Sequence, residues 1–169
     1  MAVTVEDGTG VTGANSYVSR ADYISYAATI GVTIADDADA DYQLIKAAEF
    51  IDRHRENLKG YKVTRDQAME WPRSDVIIDC WSYDQDEIPS HLTKCQMALA
   101  LDINAGYDIY NREANPSLLA KKERVEEAVS VEYETGGIVA QKQTRTSTAD
   151  SLLMALLRPT AGAIMLVRA

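Results

Sequence analysis

Gly8-Thr9-Gly10-Val11-Thr12-Gly13 is the first run of residues whose spacing could do chemistry. Glycines so placed let a pyrophosphate approach a tight turn and a helix N-terminus, and an acid such as Asp36 further along could take a ribose hydroxyl. The surroundings argue against that use. Charged Glu6 and Asp7 stand where an apolar strand should enter the turn, and two long helical patterns follow in place of further βαβ units. Residues 1–14 are therefore read as a flexible or extended N-terminal arm. Asp37, Asp39 and Asp41 alternate as at the opening of a calcium loop, but the sixth and twelfth places hold Tyr42 and Ala48, where glycine and glutamate are required. They read as a solvated helix start.

The other reactive side chains are similarly scattered. His54 and His91 lack the paired spacing of a zinc site, and no nucleophile-elbow pattern accompanies them for a triad. Cys80 and Cys95 have no metal-type spacing, and Cys95 falls on the apolar side of a helical pattern; both read as reduced thiols. Carboxylates are numerous, but nothing singles out a catalytic pair. The expectation is a protein that is not an enzyme, with no catalytic, cofactor-binding or metal-ligating residue. Trp71-Pro72-Arg73 is the most distinctive local feature, since Pro72 biases Trp71 to an extended backbone and Arg73 can face a carboxylate or a ring. Trp81 and nine tyrosines against one phenylalanine make up an amphipathic aromatic set of the kind enriched at interfaces.

The elements that must position these residues are mainly helical. Ser19 with Asp22 three residues on opens a short helix that Gly31 stops. Leu44, Ile45, Ala48, Ile51 and Leu58 recur at helical spacing and predict a helix from Asp41 to about Leu58, closed by Gly60. Residues 61–87 have no clear period and read as a long ordered loop. Pro89-Ser90 opens a second long helix with Leu92, Cys95, Ala98 and Leu99 on one side, ending at Gly106. Asn115 to Glu127 is either a short exposed helix or the approach to a strand. Alternation at Val129, Val131 and Tyr133, then Gly136-Gly137 before Ile138, predicts a β-hairpin or extended arm. Ser151 to Leu157 is a last helix before Pro159, and 160–169 form an extended C-terminal tail. This is a small bundle of about four helices in a single domain over 1–169.

With 169 residues, 46% of them hydrophobic, the chain is long enough to bury a core. It has no apolar run of membrane-spanning length and opens without the basic and apolar regions of a signal peptide, so an intracellular setting without membrane contact is expected. The 26 acidic residues outnumber 17 basic ones, giving a net charge of −9, which argues against tight sequence-independent DNA binding.

The order of features resembles the head-tail connector (adaptor, or head-completion) proteins of tailed bacteriophages over nearly the whole chain. The matching pieces are Asn15-Ser16-Tyr17, the long helix ending at Gly60-Tyr61, Gln67 leading to Trp71-Pro72-Arg73, and Ile88-Pro89. Val131-Glu132-Tyr133, Leu152-Leu153, Pro159 and a tail ending near Arg168 complete it. The resemblance implies a virion protein of the neck, assembled in the host cytoplasm as a homo-oligomeric ring, a dodecamer in the family. The ring would sit beneath the portal protein and pass double-stranded DNA through an acidic channel without specific binding. It further implies portal docking by Leu152, Leu153, Leu156, Ile164, Leu166, Val167 and Arg168. Contacts with neighbouring copies or the next tail component would fall to Trp71, Arg73, Trp81, Tyr133, Gly136 and Gly137. Proteins of this pattern are also labelled DnaT-like single-stranded DNA-binding, and a primosome-like replication protein is the alternative expectation.

Overall fold

A computed structural model of the chain describes residues 2–110 and 147–159. Its elements are α1 (Arg20–Thr29), α2 (Asp37–Asp52), β1 (Tyr61–Lys62), β2 (Arg73–Ser74), β3 (Val76–Ile78), β4 (Trp81–Tyr83), α3 (Ser90–Asn104) and α4 (Ser147–Leu156). The helices start where the sequence supplies caps. Ser19 Oγ accepts from the Asp22 amide at 3.1 Å, and its hydroxyl donates to the Asp22 carboxylate at 2.6 Å. Asp36 caps α2 by accepting from the Asp39 amide at 2.8 Å, with Asp37 and Asp39 in the first turn. The acidic stretch thus starts α2 earlier than its apolar spacing implies. The helix also ends sooner, at Asp52, because residues 53–57 tighten into turns before Leu58 pairs with Leu157.

Helix α3 packs against both α2 and α4. Leu44 and Ile51 from α2, Leu92, Cys95 and Leu99 from α3, and Ala149 and Leu156 from α4 are fully buried there. Each large aliphatic side chain removed from water contributes about 1.5–3 kcal/mol. One polar residue organises this core. Gln96, fully buried, donates to Ser16 Oγ (2.7 Å) and the Leu44 carbonyl (2.9 Å) and accepts from the Tyr17 amide (2.9 Å). It thereby fixes the segment before α1 to α2 and α3.

Three expectations are corrected here. Residues 61–87, expected as a long ordered loop, hold two short antiparallel ribbons, β1 with β2 and β3 with β4. Residues 2–14 are folded back on the body rather than free: Val5 bridges Ser16, and the buried Glu6 carboxylate accepts from the amides of Gly8, Gly10 and Val11 at 2.8–3.0 Å. The glycine loop wraps an anion that the chain itself supplies. Finally, Leu153 and Leu156 face the core and Leu152 packs against its edge, so burial inside the protomer leaves the first two no surface for docking. Ile164, Leu166, Val167 and Arg168, the hairpin residues Tyr133, Gly136 and Gly137, and the undecided stretch 115–127 lie outside the described residues.

Candidate nucleic-acid interface

Whole-chain charge conceals a sharp segregation. From Arg53 to Arg65 there are five cations, Arg53, Arg55, Lys59, Lys62 and Arg65, against the single acid Glu56. From Asp75 to Glu87 there are five acids and no lysine or arginine. The basic stretch runs from the end of α2 through the turn into β1, and its backbone is held from inside. Arg73, almost wholly buried, donates from Nε to the Lys59 carbonyl (2.8 Å) and from Nη2 to that of Gly60 (2.9 Å), while Nη1 meets Glu70. Burial pushes the Arg73 guanidinium down from its ordinary value, with the Glu70 carboxylate opposing. On the outside Tyr61 is 62% exposed, and the Arg158 guanidinium lies 5.3 Å from its ring centre while also donating to the Gly60 carbonyl. An exposed ring with a cation on it, beside further cations, is suited to a stacked base followed by its phosphates.

A groove of about 1320 Å³ adjoins this turn along α2. Tyr42, Lys46, Glu49 and Arg53 project from one side of the helix at spacings of three and four residues, facing Tyr110 and the loop 68–70. Lys46 Nζ lies 5.4 Å from the Tyr42 ring centre and 5.5 Å from that of Tyr110, and the Arg53 guanidinium is 5.0 Å from Tyr110. Deeper in the groove Asp52 accepts from the Tyr17 hydroxyl and from the Glu70 amide. Burial pushes its carboxyl up to about 6, despite these two hydrogen bonds, and pushes the Tyr17 hydroxyl well up as well. Lys62 reaches Glu70 at 3.4 Å, so Glu70 is the junction between groove and basic turn.

One family profile matches residues 1–169, and its description reads "Putative DnaT-like ssDNA binding protein". The chain belongs to this family. No curated protein and no solved structure matches it. The match corrects the connector function expected above, since the family description names single-stranded DNA binding and gives no support to a head-tail connector. The alternative expectation is the one it favours.

The residues of this DnaT-like protein singled out as an interface are divided by the structure. Trp71 is fully buried, its amide 3.3 Å from the Tyr17 hydroxyl, and Arg73 is committed to carbonyls of its own chain. Neither has a face to offer, because the loop around Gln67 draws both inward: Gln67 donates to the carbonyls of Met69 and Pro72 at 3.0 Å. Trp81 is 76% exposed on β4, within the acidic stretch. His54 Nδ1 lies 3.0 Å from the Phe50 carbonyl and His91 3.4 Å from Asp79. Among the described residues no cluster of three His, Cys, Asp or Glu side chains gathers as for a metal ion. Tyr42, Lys46, Tyr61, Tyr110 and Arg158 were missed. A window of charge along the chain finds the 53–65 segment, and the four-residue step from Tyr42 to Lys46 points to the groove; the net charge of the whole chain hides both.

Proposed function

We propose that this protein binds single-stranded DNA without catalysing a reaction, with the phosphate backbone along 53–65 and unpaired bases on exposed tyrosine rings. The observation that carries the reading is the concentration of five cations within residues 53–65, the segment that also carries exposed Tyr61, in a chain whose net charge is −9. Phosphates respond to local potential, and screening over about 8 Å at physiological ionic strength weakens the influence of acids elsewhere. A single strand is favoured over a duplex because a stacked duplex offers no free base face to Tyr61. Membership of the DnaT-like family supports the same choice.

The test neutralises Arg55, Lys59 and Arg65, whose side chains engage no acid among the described residues. The triple glutamine variant is expected to keep its fold by circular dichroism and to lose about two units of salt dependence, at about 0.7 per phosphate contact. Its affinity for a single strand at low salt should fall at least tenfold. Unchanged affinity would refute the assignment of this face.

A further inference from the structure

The groove along α2 holds an anomaly for a surface meant to carry phosphates: it is lined by Glu49, Asp52, Glu56 and Glu70. Two of these are already engaged. Asp52 accepts from Tyr17 and Glu70, and Glu70 is met by Lys62 and Arg73. Glu56 lies beyond Arg53 in the turns that follow α2. Glu49 is different. It stands between Lys46 of α2 and Arg53 at the end of that helix, near enough to both for an ion pair by sequence spacing, yet among the described residues it forms none. Both cations lie by tyrosine rings instead, Lys46 also donating to the Tyr42 hydroxyl at 3.1 Å, and the exposed Glu49 carboxylate, which lines the groove with Tyr42 (57% exposed) and Tyr110, has no hydrogen bond among the described residues. After burial, the Glu49 charge is the largest influence raising the Tyr110 hydroxyl.

We infer that Glu49 is a specificity-determining residue that accepts hydrogen bonds from the donor edge of a base stacked in this groove, favouring guanine and cytosine over thymine; this rests on the single-stranded DNA reading. The chemistry is that of a carboxylate, which only accepts. Guanine offers its ring N–H and exocyclic amine side by side, and cytosine offers an exocyclic amine. Thymine presents a ring N–H between two carbonyl oxygens, whose lone pairs repel the carboxylate. The exposed face of Tyr42 supplies a stacking surface, and Lys46 and Arg53 on either side of Glu49 accommodate the neighbouring phosphates.

The experiment measures binding of short oligo-dT strands carrying one central dT, dC or dG, by fluorescence anisotropy at pH 8, to the full chain and to Glu49→Gln and Glu49→Ala. Expected is about tenfold tighter binding of the dG and dC strands than of dT by the wild type, the scale of one good charged contact to a base. Both variants should bring the three strands to within about twofold of each other, with dT binding unchanged or tighter. Equal binding of all three strands by the wild type overturns the role of Glu49 while leaving single-stranded DNA binding in place. Discrimination that survives in both variants overturns it as well. Failure of every strand to bind overturns the functional reading and this inference with it.

Discussion

Asp52 shows at the scale of one residue how the fold alters chemistry. Its carboxyl lies beside the Tyr17 hydroxyl and the Glu70 amide, and burial raises it from 3.8 to about 6. A raised carboxyl binds its proton more tightly in the folded than in the unfolded chain, so this group contributes stability at low pH that is lost as pH rises from about 4 through 6. Asp52→Asn removes the titration and keeps the shape. Relative to the variant, the wild type is expected to lose about 2 kcal/mol between pH 4 and pH 7, read from urea midpoints at each pH. Other carboxylates titrate in both proteins and cancel in the difference. A difference between the two proteins that is constant across that range would contradict the assignment. A second residue-scale expectation concerns Tyr61: Tyr61→Ala should weaken binding of a single strand by about 1–3 kcal/mol in anisotropy titrations while leaving the melting temperature within a few degrees.

At the scale of elements, the basic turn depends on one backbone position. Gly60 has φ +70°, and a Cβ there would lie 2.2 Å from the Ser74 carbonyl oxygen and 2.7 Å from Val76 Cγ2. Gly31 has a similar φ of +76° with open space around it. Gly60→Ala is therefore expected to destabilise by about 3 kcal/mol and Gly31→Ala by about 1 kcal/mol, measured by chemical denaturation; equal effects would show that β1 is not held against β2 as described. The helices were legible because their signals are local: Ser19 and Asp22, Pro89 and Ser90, and the glycines at 31 and 106 mark ends by capping or backbone geometry. The ribbons were not. The β3–β4 turn is Asp79-Cys80, both at positive φ, and lacks the glycine by which such turns are read. Trp71 misled for a related reason, since its sequence neighbourhood shows an amphipathic ring but not the Gln67 hydrogen bonds that draw the loop into the core. The candidate site was not legible in the sequence: its cations lie close together along the chain, but the Tyr110 ring beside Lys46 and Arg53 and the Arg158 cation over Tyr61 come from distant parts of it.

On the scale of the whole molecule, the balance of −9 was the wrong quantity for deciding about DNA. A net charge describes solubility and long-range steering, whereas binding to a strand depends on which charges lie within a screening length of its phosphates. Here the cations of 53–65 lie on one continuous segment, and the acids gather in 36–41 and 75–87, where Arg20 already engages Asp37 and Asp41. The most direct measurement of this account is the affinity of the full chain for a labelled single-stranded oligonucleotide, titrated by fluorescence anisotropy across a salt series. Neutralising four or five phosphates should give a slope of log K against log salt of about −3. Affinity that is absent at low salt, or present with no salt dependence, would contradict the account.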